Sequence, residues 1–87
     1  MDWKLFADLA EVAGDDECAV SVGDDATVRD ALEALVAEYP ALGERVLDDS
    51  GDPHEHVNLL RNGRQADLDE SVDADDELAL FPPVSGG

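Results

Sequence analysis

One amphipathic helix dominates the sequence and limits the folds open to an 87-residue chain. Thr27 is a good N-cap, and Pro40 ends the helical pattern. Between them, apolar residues recur at helical spacing and form one stripe: Val28, Leu32, Leu35, Val36 and Tyr39. Because this stripe must be buried against a second layer, the rest of the chain has to supply a sheet.

Strand patterns lie on both sides of this helix. The alternation of side chains predicts strands at residues 2–8, 18–22, 57–61, 65–68 and 77–81. Asn62-Gly63 indicates a tight hairpin, and short helical segments are predicted at residues 9–12 and 41–47. This order predicts an α+β domain in which a mixed sheet wraps around one main helix, with the first and last strands adjacent in its centre.

The same alternation predicts an apolar group on the outer face of the sheet. Six residues can face the helix: Trp3, Leu5, Val57, Leu59, Leu78 and Leu80. Phe6, Leu60, Ala79 and Phe81 then point to the opposite face, which no second helix covers. Such a group on an acidic surface predicts a docking patch; the alternative is that the loop at residues 48–56 folds over it.

The net charge excludes several classes of protein. With 23 acidic and 5 basic side chains the chain carries a formal charge of −18, which repels the phosphates of nucleic acids and anionic lipids. No run approaches the roughly 18 apolar residues of a membrane helix, and the first residues lack the layout of a signal peptide. We therefore expect a cytoplasmic protein without a membrane or nucleic-acid partner. The even spread of acids favours adaptation to a salty cytoplasm, where a Debye length of about 3 Å at 1 M screens repulsion.

No metal or catalytic site is predicted. His54 and His56 flank Glu55, but this loop offers fewer suitable ligands than a structural zinc site needs. Cys18 is the single cysteine, which excludes an intramolecular disulfide and a cysteine-ligated iron–sulfur cluster. Acidic neighbours should also raise the pKa of the Cys18 thiol and reduce its reactivity. Ser50 has no nearby base of the kind that nucleophilic catalysis requires.

The last six residues, 82–87, form a segment without charged side chains directly after the last predicted strand. Pro82 and Pro83 cannot donate to a sheet ladder, so they end that strand. Because glycine has no Cβ, Gly86 and Gly87 allow an extended backbone to enter a channel too narrow for side chains. Small residues are common at chain ends, so this observation is weak by itself.

The segment at residues 81–87, Phe-Pro-Pro-Val-Ser-Gly-Gly, resembles the C-terminal signature of the molybdopterin synthase small subunit, the sulfur-carrier branch of the ubiquitin-like β-grasp proteins. Further matches at Leu5-Phe6-Ala7 and at residues 27–32, 39–42 and 76–80 extend this resemblance over residues 3–87. The acidic composition is similar in particular to the haloarchaeal small archaeal modifier proteins. The resemblance implies a β-grasp domain at residues 1–83 and a flexible diglycine tail at residues 84–87.

The resemblance also implies a carrier or modifier protein and not an enzyme. An E1-like enzyme would use ATP and Mg to adenylate the carboxylate of Gly87, while the chain itself would bind no cofactor. A sulfur nucleophile would then give a thiocarboxylate for the large subunit of molybdopterin synthase. A lysine of a target protein would instead give an isopeptide bond. In these reactions Val84, Ser85 and Gly86 would thread the active site of the partner.

Phe6, Leu60, Phe81 and Pro82 would form the docking surface for these partners, and the free chain is expected to be a monomer. Lys4 is the single lysine, which makes it a candidate linkage site for chains of the modifier. The alternative for Lys4 is that lysine is scarce because the composition is acidic.

Two alternatives stay open to a chain that serves both as a sulfur carrier and as a protein modifier. The chain could be a sulfur carrier only, without conjugation to proteins. It could also be a non-covalent acidic binding or inhibitor module that acts through its net charge. Charge mimicry predicts that salt strongly weakens binding to the partner and that loss of the two glycines has no effect.

Overall fold

The computed structural model describes residues 1–54 and 57–82. Within these residues, the strands are β1 (Asp2–Leu5), β2 (Glu17–Ala19), β3 (Asn58–Arg61), β4 (Arg64–Gln65) and β5 (Glu77–Phe81). The helices are α1 (Asp8–Ala13), α2 (Val28–Glu38) and α3 (Pro40–Val46). The strands form one sheet in the order β2-β1-β5-β3-β4, in which β1 and β5 are parallel and the other pairs are antiparallel. The predicted α+β architecture with adjacent first and last strands is confirmed.

The core lies between this sheet and α2. The sheet residues predicted to face the helix are buried, except for the half-buried Val57: Trp3, Leu5, Leu59, Leu78 and Leu80. From α2, Val28, Leu32 and Leu35 are buried, whereas Val36 and Tyr39 are half-buried. The indole Nε1 of Trp3 donates to the carbonyl of Ala31 at 3.3 Å, which satisfies the polar atom of the largest buried side chain.

The ends of α2 follow from local sequence. Thr27 and Asp30 form a capping box, in which the Thr27 hydroxyl accepts from the amide of Asp30 and the Asp30 carboxylate accepts from the amide of Thr27. Tyr39 then caps the end of α2, and Pro40 begins α3. A Cβ at Gly43 would lie 2.9 Å from Cγ1 of Val36, so glycine allows α3 to pack closely against α2.

Strand β1 ends at Leu5, so its predicted extent to residue 8 is wrong. Ala7 has φ 54° and ψ −132°, which turns the chain, and α1 begins at Asp8. Consequently Leu9 lies in the core instead of extending the sheet.

Strands β2 and β4 are also shorter than predicted, because the residues that follow them make backbone hydrogen bonds outside the strand registers. The register of β1 and β2 ends at the pair of Asp2 and Ala19, and the amide of Val20 donates to the carbonyl of Met1 at 3.0 Å. At the other edge, the carbonyl of Leu68 accepts from the amide of Arg29 at 3.1 Å, which draws the chain from the sheet towards α2. The predicted strands at residues 18–22 and 65–68 are therefore wrong in their ends, and β2 and β4 begin at Glu17 and Arg64.

Replacing Ala7 by glycine is expected to stabilise the fold. The backbone at Ala7 lies at a positive φ that disfavours a side chain, so Ala7→Gly should raise the free energy of unfolding by about 1 kcal/mol. Denaturant unfolding at high salt measures this difference. The control Ala37→Gly, at an exposed position inside α2, should lower the free energy by about 1 kcal/mol. A destabilised Ala7→Gly protein would contradict the strained turn.

A buried carboxylate fastens the start of β5 to the hairpin between β3 and β4. Asp76 is 8% exposed and accepts from the amide of Asp73 at 2.8 Å, from Nδ2 of Asn62 at 2.9 Å and from Nε of Arg61 at 2.9 Å. These donors, the Asp73 amide first, lower the pKa of Asp76 from 3.8 to about 2. Because the charged form is favoured in the fold, Asp76 stabilises the folded state above about pH 4 and loses this effect as the pH falls towards 2.

The variant Asp76→Asn should isolate this contribution. We expect it to lower the free energy of unfolding by about 2 kcal/mol at neutral pH. The difference from the unmodified protein should shrink as the pH falls from about 4 to about 2, because both proteins then lack the charge at residue 76. Denaturant titrations at several pH values measure this difference, and Asp75→Asn at the exposed neighbouring position is the control. A difference that stays constant over this range would contradict the role of the charge.

Candidate functional site

Two stacked aromatic rings mark the ends of the two central strands. The rings of Phe6 and Phe81 have centroids 4.2 Å apart and planes inclined by 7°. Phe81 is the last residue of β5, and Phe6 directly follows β1. Phe6 is 38% exposed, so the pair presents apolar area to solvent at the outer face of the sheet.

The turn at Ala7 places Phe6 in this pair. The carbonyl of Phe6 accepts from the amide of Leu9 at 3.2 Å, and the side chain of Leu9 is buried below. The chain thus leaves the sheet immediately after presenting Phe6. Sequence reasoning missed Ala7 as a residue that shapes the site, because alanine carries no turn signal and fits a strand pattern equally well.

Leu60 and Ala79 extend the aromatic pair across the sheet. Leu60 is opposite Ala79 in the β3–β5 ladder, and Phe81 lies two residues further along the same face of β5. Leu60, Ala79 and Phe81 are half-buried. We call Phe6, Leu60, Ala79 and Phe81 the apolar patch. The prediction that these side chains share the outer face is confirmed, and their role in docking stays a prediction.

The described part of the loop at residues 48–54 is held on the helix side of the domain. Oδ1 of Asp52 accepts from Nη2 of Arg29 at 2.7 Å, and the amide of His54 donates to the carbonyl of Val46 at 2.7 Å. These contacts fasten the loop to α2 and α3, away from the outer face of the sheet. They disfavour the alternative that this loop covers the apolar patch. Glu55 and His56 lie outside the described residues.

The predicted tail begins next to the apolar patch. Pro82 is half-buried and follows the stacked Phe81 directly. The tail residues predicted to react or to thread a partner, Val84, Ser85, Gly86 and Gly87, lie outside the described residues, as does Pro83. A partner that contacts the apolar patch therefore lies next to the point from which the tail departs.

Lys4 lies on the same face as the apolar patch. Its register partners are Glu17 in β2 and Ala79 in β5, and its Nζ is 3.4 Å from Oε2 of Glu77. The side chain is 40% exposed, so the ion pair is open to solvent and contributes little to stability. Lys4 thus separates the apolar patch from an acidic part of the face.

The remaining candidates form no second site within the described residues. Cys18 is half-buried in β2, and burial followed by the nearby Asp15 carboxylate raises the pKa of its thiol. His54 is exposed, and residues 1–54 and 57–82 contain no group of three or more metal-ligating side chains suited to a metal ion. Over the same residues, no helix is long and apolar enough to cross a membrane.

A mixed five-stranded sheet around one main helix, with parallel first and last strands at its centre, defines a ubiquitin-like β-grasp protein. The chain belongs to the ThiS family, whose model matches residues 3–87. It is 62% identical over 87 residues to small archaeal modifier protein 1 of Haloferax volcanii, an alignment that covers 100% of both chains.

Two further comparisons agree with this family. The crystal structure of SAMP1 from Haloferax volcanii superimposes with a TM-score of 0.97 at 62% identity, covering 100% of this chain and 98% of that one. A molybdopterin synthase sulfur carrier subunit of Dictyostelium discoideum is 30% identical over 87 residues, covering 95% of this chain and 91% of that protein. The predicted family and fold are confirmed. The chain is a homologue of ubiquitin-like modifiers and sulfur carrier subunits.

Proposed function

We propose that the chain serves as an acyl carrier whose reacting group is the carboxylate of Gly87. The observation that carries this proposal is the stacked pair of Phe6 and Phe81, which marks a docking surface directly before the tail. The relatives support both fates of the acyl group, since they include a small archaeal modifier protein and a molybdopterin synthase sulfur carrier subunit.

The chemistry begins with a poor electrophile. A carboxylate repels nucleophiles and has no good leaving group, so an E1-like enzyme must first transfer AMP from ATP, with Mg, to Gly87 and release pyrophosphate. A sulfur nucleophile then attacks the acyl carbon, the bond from that carbon to the AMP oxygen breaks, and AMP leaves. With sulfide as the nucleophile the product is a thiocarboxylate on Gly87, and with a cysteine thiolate of the enzyme it is a thioester. ATP and Mg belong to the activating enzyme in this scheme, and the chain itself needs no cofactor.

The two fates differ in the final nucleophile. A thiocarboxylate on Gly87 supplies sulfur to a precursor bound by the large subunit of molybdopterin synthase. An activated acyl group that meets a lysine amine of a target protein forms an isopeptide bond instead, with loss of a proton and of the leaving group. Because both fates start from the same adenylate, one tail can serve both. A chain restricted to sulfur transfer would share the first step and lack the second.

The apolar patch supports recognition by these partners, and the tail supports access to their active sites. Burying Phe6, Leu60 and Phe81 would remove apolar area from water, which is the main source of affinity at such contacts. Val84, Ser85 and Gly86 have small or short side chains, so an extended backbone can pass through a narrow channel to the reacting atoms.

Mass spectrometry of the protein purified from its native host tests both fates. A population in which one oxygen at Gly87 is exchanged for sulfur is the expected sign of sulfur carriage. A Gly-Gly remnant on lysines of other proteins is the expected sign of conjugation. Finding only the first would support the sulfur carrier alone, and finding neither would contradict the proposed function.

A further inference from the structure

We propose that acylation of Lys4 and activation of Gly87 exclude each other, because Lys4 lies inside the footprint of the enzyme that must dock on the apolar patch. This inference rests on the proposed function and adds a regulatory consequence to it. A copy of the chain that has accepted an acyl group at Lys4 would no longer be activated at its own Gly87.

Lys4 lies beside the apolar patch on the sheet. Lys4 is opposite Ala79 of the apolar patch in the β1–β5 ladder and is two residues before Phe6, which directly follows β1. Neighbouring strands are about 4.8 Å apart and residues rise about 3.3 Å each. The Lys4 backbone is therefore about 5 Å from Ala79 and about 7 Å from Phe6.

The separation between Lys4 and the apolar patch is small compared with the size of a protein interface. A standard interface buries about 800 Å² on each partner, which corresponds to a disc of about 16 Å radius. An enzyme whose interface has this area and is centred on the stacked Phe6 and Phe81 must also cover Lys4. A group of peptide size attached to Nζ would then occupy the space that the enzyme needs.

Acylation of Lys4 also changes the charge on this face. Lys4 is surrounded by its register partner Glu17, by Glu77 at 3.4 Å, and by Asp2, which precedes it on the same face. In acylation, the neutral amine attacks the activated acyl carbon, a C–N bond forms, the proton is lost, and the thiol or AMP leaves. The resulting amide is uncharged, so the three carboxylates lose the cation that partly offsets them.

The amine is accessible for such a reaction in the free chain. The Lys4 side chain is 40% exposed, and its contact with Glu77 is a solvent-exposed ion pair that is easily broken. Lys4 is also the single lysine of the sequence, so acylation of lysine can take place only here. Accessibility in the free chain and burial beneath the enzyme together make the two events mutually exclusive.

Labelling at a single position tests this inference. In a Cys18→Ser background, Lys4→Cys is coupled to a maleimide peptide, and Ala37→Cys, exposed on α2 on the other side of the domain, carries the same label as a control. Adenylation by the E1-like enzyme is then measured against substrate concentration. We expect the label at position 4 to raise the concentration for half-maximal adenylation by about tenfold or more, and the label at position 37 to change it by less than about twofold.

Three other outcomes would contradict the exclusion or the proposed function. Unchanged adenylation of the protein labelled at position 4 would overturn the exclusion while leaving the proposed function intact. Equal losses at positions 4 and 37 would also overturn it, because distance from the apolar patch would not matter. If the unlabelled proteins and the unsubstituted chain are not adenylated at all, the proposed function fails, and this inference fails with it.

Discussion

A protein that lacks Gly86 and Gly87 is expected to fold like the full-length chain and to lose adenylation by the E1-like enzyme down to background. The buried apolar core of the described residues runs from Trp3 to Leu80, so removal of the last two residues leaves it intact. The terminal carboxylate, in contrast, would belong to Ser85 and would not reach the ATP bound by the enzyme. Thermal unfolding and release of pyrophosphate from ATP measure the two properties separately.

Two further variants sharpen this result. Gly87→Phe keeps a terminal carboxylate but adds a side chain too wide for a narrow channel, so we expect the same loss of adenylation. Gly23→Ala is the matched control, because a Cβ there meets no atom within 4 Å and the variant should be adenylated normally. Undiminished adenylation after loss of both tail glycines would contradict the role of Gly87 and favour an acidic binding module, whose affinity should instead fall steeply with salt.

The double variant Phe6→Ala, Phe81→Ala is expected to weaken docking strongly while leaving the chemistry at Gly87 unchanged. Removing both rings of the stacked pair takes away the largest side chains of the apolar patch. Aromatic residues at the centre of an interface typically contribute about 2 kcal/mol or more, so the concentration for half-maximal adenylation should rise about 30-fold. The rate at saturating concentration should stay near that of the unsubstituted protein, because the tail is intact.

A variant of similar burial on the helix side provides the control for this experiment. Leu47→Ala removes a half-buried apolar side chain, and Leu47 directly follows α3 and pairs with Pro53 in the loop outside the apolar patch. It should lower the thermal stability without changing the concentration dependence of adenylation. A double aromatic variant whose concentration dependence matches that of the unsubstituted protein would show that docking takes place elsewhere.

The sequence predicts well those parts of the fold that depend on local patterns. Thr27, Asp30 and Pro40 determine the ends of α2, and the alternation of Trp3 and Leu5 assigns the two faces of β1. Both signals lie within a few neighbouring residues, so tertiary context does not override them. The same alternation also identified the outer face on which the apolar patch lies.

Other features depend on residues far apart in the sequence and could not be predicted. The turn at Ala7 accompanies the burial of Leu9, and β4 ends at Gln65, shortly before Leu68 accepts a hydrogen bond from the amide of Arg29. The stacking of Phe6 on Phe81 requires the parallel register of β1 and β5, which alternation alone does not fix. Strand lengths and contacts of this kind follow from packing between helices and strands. The propensities of the residues predict only where a helix or a strand forms.

Incubation of the unsubstituted protein with a purified E1-like enzyme, ATP and Mg, followed by mass spectrometry of the intact chain, tests acyl activation most directly. We expect a species that carries one AMP on the carboxylate of Gly87 and disappears when a thiol is added. If no AMP is ever attached to this carboxylate with an enzyme that adenylates another member of the family, the chain is not the acyl carrier proposed above.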